Sequence, residues 1–318
     1  MKTYHWGIVG LGEIAHQFAQ TFNDSSSKLS AVASRTQEKA EEFASRYQIP
    51  KAYGDYTALL SDPEIDIIYI AVPNRQHIEY ILPALKAGKH VLCEKAITMN
   101  QKELLQAVQL AEQKNLVLAE AMTIFNMPLY AQLRELADSG KLGKLKMIQA
   151  PFGSYKEPDP TNRFFNPDLA GGALLDIGTY AVSFARYFLN AQPTVIASNV
   201  LPFETGVDEQ SVTILRNKKN EMAAVTLTFQ AKMPKLGIVA FENGYITVPE
   251  YPRADKAEII YNDGTKEFIE SGDTQEAMNY EIQNMVAFIE GSKPNTSLLL
   301  TIDVIQLLDE MQQAWAKQ

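Results

Sequence analysis

Through the first third of the chain, short apolar and β-branched runs alternate with longer amphipathic stretches. Residues 4–9, 28–33, 65–72, 90–94 and 116–120 read as strands. A helix opens directly after residue 9 and runs to about residue 23. Others follow over 37–47, 55–60 and 76–87, and over 101–114 behind Asn100 as cap. The run Ile65-Asp66-Ile67-Ile68-Tyr69-Ile70-Ala71-Val72 is apolar enough to be buried on both faces, as strands of parallel sheets are. Strand and helix in strict alternation predict a doubly wound parallel sheet ending near Met122.

Beyond Met122 the rhythm changes. A helix at 127–139 and a strand at 144–152 lead into a loop at 157–168 rich in Pro, Asp and Asn, then a helix at 172–189. Strands follow at 195–201, 210–216, 223–230, 237–242, 245–248 and 257–261, joined by turns such as Asn243-Gly244. Short turns between successive strands predict a mainly antiparallel, open sheet. Helices at 274–290 and 301–317 close the chain. The expected domains are residues 1–122 and 123–300, with helix 301–317 packing back on the first.

In the strands at 210–216 and 223–230, Val212, Ile214, Ala224, Thr226 and Thr228 alternate with Thr213, Leu215, Val225, Leu227 and Phe229. Neither face is charged. One face packs on the helices of its own domain, and an apolar second face marks an interface, so a homodimer or higher homo-oligomer is expected.

Net charge is −9, which argues against nucleic acid or an anionic membrane as partner. No apolar window is long enough for an ordinary transmembrane helix. The one cysteine, Cys93, forbids an internal disulfide, and the chain enters a strand at once without a signal-peptide pattern, so the cytoplasm is expected. No His, Cys, Asp or Glu cluster has metal-ligand spacing, and no metal is expected.

The chemistry starts at Gly10-Leu11-Gly12-Glu13-Ile14-Ala15, a G-x-G-x-x-A turn between a strand and a helix. Gly10 permits the sharp turn, and Gly12 lets backbone approach a pyrophosphate. Ala15 lets the helix pack close, and free N–H groups face the anion. The second strand ends in Ser34-Arg35-Thr36, where an NAD enzyme usually places Asp or Glu for the ribose hydroxyls. A guanidinium and hydroxyls suit a 2′-phosphate, so NADP is the expected cofactor and NAD the lesser candidate.

Three further motifs accompany this one: Ala71-Val72-Pro73-Asn74 with His77, Gly88-Lys89-His90-Val91-Leu92-Cys93-Glu94-Lys95, and Gly171-Gly172-Ala173-Leu174-Leu175-Asp176-Ile177-Gly178-Thr179-Tyr180. In this order and spacing the sequence resembles the glucose-fructose oxidoreductase / inositol dehydrogenase / MocA (Gfo/Idh/MocA) family over essentially its whole length. It is most similar to the branch holding dimeric dihydrodiol dehydrogenase and the NADP-dependent xylose dehydrogenases, which carry Tyr at the position of Tyr180. The resemblance implies a Rossmann domain, a second domain on an open antiparallel sheet, and hydride transfer at a hydroxyl-bearing carbon of a sugar, polyol or cyclic diol. It also implies that Gly10, Gly12, Glu13, Ile14, Ser34, Arg35, Thr36, Ala71, Pro73, Asn74, His77, Glu94 and Lys95 surround the cofactor, His77 as support for a turn.

Oxidising an alcohol by hydride transfer requires removal of the hydroxyl proton. A phenol of ordinary pKa is a poor base at neutrality unless a cation stabilises its anion. By family analogy Tyr180 is the general acid/base, Lys95 its electrostatic partner, and Asp176 a ligand of substrate or of the catalytic network. Asp176 and Tyr180 are four residues apart and share a helical face. Ala96 stands where the family usually has Pro, so the Lys95 turn is open to either a cis or a trans form. Tyr155, Arg163 and Phe164, flanking a loop with Asn162 and Phe165, are candidate substrate contacts. Two alternatives remain at this level: a non-catalytic NADP-binding sensor of the same fold, and a reductase of that fold acting on another group.

Overall fold

A computed structural model describes residues 2–318, and Met1 lies outside the described residues. Elements run β1 (Tyr4–Val9), α1 (Glu13–Thr21), β2 (Ser27–Ala33), α2 (Gln37–Tyr47), β3 (Lys51–Tyr53), α3 (Tyr56–Ser61), β4 (Ile67–Ile70), α4 (His77–Lys86), β5 (His90–Cys93), α5 (Gln101–Lys114) and β6 (Leu118–Glu120). Then come α6 (Pro128–Asp138), β7 (Leu145–Gly153), α7 (Thr179–Phe188), β8 (Pro193–Pro202), β9 (Asp208–Asn217), β10 (Met222–Thr228), β11 (Leu236–Phe241) and β12 (Gly244–Pro249). The chain ends with β13 (Lys256–Tyr261), β14 (Lys266–Glu270), α8 (Ala277–Ile289) and α9 (Ser297–Trp315). Two compact units result: residues 2–122 with 278–299, and residues 123–277 with 300–318.

In the first unit the sheet order is β3-β2-β1-β4-β5-β6, all parallel. Every residue of β4 is buried, as its apolar run requires in a sheet covered on both faces. Under α1 the core is aromatic: Trp6 lies 5.9 Å from Phe18, which stacks on Tyr69 at 3.8 Å between ring centroids. The register aligns Val9 with Ala33 and Ile70, Ile70 with Cys93, and Cys93 with Glu120. The carboxyl ends of five strands therefore form one row.

The helix that completes this unit differs from the expected one. It is α8, whose Met278, Ile282 and Met285 enter the core at helical spacing. Asn279 fixes it, accepting from the Asn23 N–H at 2.9 Å and donating to the Thr21 carbonyl at 2.8 Å. Residues of α9 instead pack in the second unit, where Arg186 meets Asp303 at 2.7 Å and Trp315 Nε1 donates to Ser198 Oγ at 2.7 Å.

The second unit has an eight-stranded sheet of order β14-β13-β12-β11-β7-β10-β9-β8. Its neighbours are antiparallel except β7 and β10, which are parallel because α7 and the β8–β9 hairpin lie between them in sequence. Leu215, Val225, Leu227, Ile148, Val239 and Ile246 are buried on one face. The other face carries Val212, Ile214, Met147, Tyr245 and Phe268, all exposed. Two polar strands escaped the sequence pattern, β3 at three residues and β14 with Lys, Glu and Glu among five.

Candidate active site

The row of strand ends collects the first set of candidate residues. Gly10, Ser34, Ala71 and Glu94 each lie one step past the row, on β1, β2, β4 and β5. This is the carboxyl edge, where sheets of this order bind ligands. At Gly10, with φ of +85°, a Cβ would meet Ala71 and Val72 backbone at 2.6 Å, so only glycine brings these loops together. A Cβ on Gly12 would meet nothing within 4 Å. Beside that open space α1 starts without a side-chain cap, leaving its first N–H groups for an anion, while Ala15 is buried against the sheet. Glu13 is exposed and Ile14 half-buried. Arg35 and Thr36 are exposed at the start of α2, and Thr36 makes no capping bond with its own hydroxyl. An open glycine cradle beside a helix start, with a cation and a hydroxyl at the next strand end, fits a phosphorylated dinucleotide.

The loops after β4 and β5 are tied together. Pro73 is exposed and Asn74 half-buried, but His77 has no exposed surface. Its ring lies with Nδ1 2.9 Å from the Ala96 carbonyl and Nε2 2.9 Å from that of Val72. Burial lowers the His77 pKa, against the opposing pull of the Val72, Ala96 and Ile97 carbonyls. His77 thus supports the turn rather than facing a ligand. The Lys95–Ala96 peptide is cis. Just beyond it, the Ile97 N–H donates to buried Glu120 at 3.0 Å. Glu94 accepts from the Tyr69 hydroxyl at 2.5 Å and, through its other oxygen, from the Lys95 N–H at 3.3 Å. Lys95 itself is half-buried. Tyr69 and Glu120 are sequence-level misses: one reads as a core tyrosine, the other as an isolated strand-end acid.

In the second unit, Leu174–Gly178 form a π-helical turn that runs straight into α7. Such wide turns recur at functional sites. Asp176 and Tyr180 are half-exposed, whereas Leu174, Leu175, Ile177, Gly178, Thr179 and Ala181 are buried. Both polar side chains therefore reach solvent from an otherwise buried segment, Asp176 from the π turn and Tyr180 from the first turn of α7. The Tyr180 ring lies 6.2 Å from Phe152. Arg163 Nη2 stands 4.0 Å from Asp176 Oδ1, and its guanidinium lies 4.1 Å over the Phe164 ring. The loop thus brings Arg163, lying over Phe164, to Asp176. Tyr155 is exposed and donates to Glu157 at 3.1 Å.

The glycine pair ahead of this turn serves its own unit. A Cβ on Gly171 would lie 2.8 Å from the Phe164 carbonyl. Gly172, with φ of +120°, would place one 2.2 Å from Asp208 Oδ1. Asp208 Oδ2 accepts from the Leu174 N–H at 2.6 Å. Burial pushes the Asp208 carboxyl up to about 7, against the bonds from Leu174, Asp208 and Ala173 N–H groups. Nothing local in the sequence announced Asp208, which reaches the segment from β9.

The family described as "Oxidoreductase family, NAD-binding Rossmann fold" matches residues 4–122, and "GFO/IDH/MocA C-terminal domain" matches residues 130–260. Trans-1,2-dihydrobenzene-1,2-diol dehydrogenase of Xenopus laevis is 34% identical over 281 residues, covering 86% of this chain and 83% of that protein. The Homo sapiens protein of the same name is 35% identical over 245 residues, 76% and 73% respectively. Among solved structures, a 3-ketoreductase from Actinomadura kijaniata in complex with TDP-benzene and NADP has a TM-score of 0.85 at 23% identity, covering 99% of this chain and 98% of that one. Levoglucosan dehydrogenase in complex with NADH and levoglucosan has a TM-score of 0.87 at 22% identity with the same coverage. At such identities these structures establish the fold alone.

Proposed function

This chain belongs to the Gfo/Idh/MocA oxidoreductase family, and from that premise we propose how its own residues carry out the reaction. It is an NAD(P)-dependent oxidoreductase acting on hydroxyl-bearing substrates. The observation that carries the reading is the single row of strand ends, which puts the Gly10–Gly12 cradle, Arg35 and Lys95 on one edge.

The cofactor is NADP. Gly10, Gly12 and the start of α1 hold its pyrophosphate, and Ser34, Arg35 and Thr36 its 2′-phosphate. When bound, the nicotinamide accepts or returns the hydride. Tyr180 takes the proton of the substrate hydroxyl during oxidation and gives it back in the reverse direction. Lys95 stabilises the phenolate and the reacting oxygen, which an ordinary phenol needs at neutral pH. Asp176 accepts from a neighbouring substrate hydroxyl, with Arg163 and Phe164 closing that side.

The substrate is a cyclic trans-diol, a polyol or a sugar; the trans-diol is the class named for the relatives at 34–35% identity. The enzyme works in the cytoplasm as a homodimer, a reading supported by the exposed apolar face of its second sheet and by the single, buried cysteine. Among the described residues no helix is long and apolar enough to cross a membrane.

The test is NADPH formation with a panel of trans-dihydrodiols, aldoses and inositols. Turnover of at least one is expected. NADP binding without turnover of any panel member, in either direction, would favour the sensor reading instead.

A further inference from the structure

We infer that Asp208 is a positioning residue that caps, from another element, the helical segment carrying Asp176 and Tyr180. The inference rests on the proposed role of Tyr180. A helix begins with N–H groups that have no partner inside it, and the residue just before it usually supplies the oxygen. Here the preceding residues are Gly171, Gly172 and Ala173, none of which has a side-chain oxygen to offer. The oxygen comes instead from the first residue of β9, with Leu174 N–H donating to Asp208 Oδ2 at 2.6 Å. Gly172 is shaped for it, since any Cβ there would collide with Asp208 Oδ1 at 2.2 Å. A carboxylate at a helix start also opposes the positive end of its dipole.

The capped segment is short, and its two half-exposed side chains are Asp176 and Tyr180. A shift at Leu174 therefore propagates to the Tyr180 hydroxyl within two turns. The carboxyl titrates near neutrality, because burial raises it to about 7 against the pull of its N–H donors. Charged side chains on the surrounding elements are Arg163 and Asp168 in the loop, Asp176 in the π turn, Glu204 before β9 and Glu209 on β9 itself. As pH falls through that value the carboxylate gains a proton and becomes a weaker acceptor, so the cap loosens on the acid side.

The experiment compares the full-length wild-type chain with Asp208→Asn and Asp208→Ser, the second guarding against misfolding of the first. At pH 8, kcat is expected to fall between about 10- and 10²-fold, the cost of a small misplacement of a reacting group, with NADP affinity unchanged. The gap should narrow toward pH 6, where the wild-type carboxyl is protonated too. Amide exchange of residues 174–181, corrected for intrinsic rates, should be faster in the variants at pH 8 and should accelerate in the wild type as pH drops. Equal exchange in wild type and variants would overturn the cap whether or not turnover is measurable. Faster exchange with an unchanged kcat, or a kcat ratio flat from pH 6 to 8, would overturn its role in the reaction. A wild-type chain with no turnover on any substrate would refute the functional reading first, and the catalytic part of this inference with it.

Discussion

Tyr69 donates to Glu94 Oε1 at 2.5 Å, and Glu94 Oε2 accepts from the Lys95 N–H at 3.3 Å. One buried tyrosine, stacked on Phe18 of the nucleotide helix, thus also steadies the turn that carries Lys95. Burial and the adjacent Glu94 carboxylate hold the Tyr69 phenol well above its ordinary pKa, so it remains a donor at all working pH values. Tyr69→Phe keeps the ring and removes the bond. Its expected cost is about 1–2 kcal/mol, read as a lower urea midpoint at unchanged slope. Turnover should fall more than NADP affinity does. A variant equal to wild type in midpoint and turnover would show the hydroxyl to be idle.

Arg35 stands exposed at the strand end where an acidic residue would select NAD. Arg35→Asp is expected to weaken NADP binding by about 1–3 kcal/mol, the range of a charge-assisted bond, while NAD binding improves or holds. Titration calorimetry with both nucleotides measures this. Equal affinity of the wild type for NAD and NADP would sink the assignment.

The sequence carried the first sheet almost completely, because parallel strands buried on both faces leave unmistakable apolar runs, as in β4. The glycines and strand-end residues were legible for the same reason, since position along a strand fixes position at the edge. Asp208, Tyr69 and Glu120 were not, because each acts by a contact between distant segments that no local spacing encodes. The return of α8 rather than 301–317 turned on similar apolar helices competing for one core, which composition alone does not rank. The parallel β7–β10 pairing was hidden for a related reason: short turns announce hairpins, whereas a parallel neighbour is joined through α7 and a whole hairpin.

Tyr180→Phe retains the ring beside Phe152 and deletes the hydroxyl proposed to carry the proton. Turnover is expected to drop by about 10²-fold or more, the usual scale for losing a general acid/base. NADP affinity should stay within about twofold, because Tyr180 lies outside the residues assigned to the nucleotide phosphates. A variant that turns over at the wild-type rate would remove Tyr180 from the reaction.

Acid stability should carry the mark of Asp62. Burial raises its pKa, but bonds from Lys51 at 2.8 Å, the Glu64 N–H at 3.0 Å and Tyr53 at 2.8 Å outweigh this and bring it to about 2. The folded pKa lies below the unfolded one, so this stabilisation is full above about pH 4 and fades as pH falls through about 2. After allowance for solvent around the half-buried Lys51, it amounts to about 1 kcal/mol. Asp62→Asn is expected to lower the urea midpoint at pH 7, with the gap closing between pH 4 and 2. A gap independent of pH would mean that the charge on Asp62 contributes nothing.

The open face of the second sheet should bury itself in a second copy of the chain. Across it run Ile214, Ala224, Gln149, Ile238, Thr247, Glu258 and Phe268 in register, flanked by Val212 and Thr226 on one side and by Met147 and Tyr245 on the other. Val212 is 55% and Phe268 72% exposed, values at which large apolar side chains spread over one sheet face become an aggregation liability unless covered. A twofold-symmetric partner covers such a face with itself, since one patch then meets its own copy. Light scattering at micromolar concentration is expected to give twice the 35.5 kDa of one chain or a higher multiple. Val212→Glu with Ile214→Glu puts two carboxylates on adjacent exposed positions of β9 and should shift the mass to that of a single chain without unfolding it. A wild-type mass of one chain, or a double variant that stays associated, would place the interface elsewhere or nowhere.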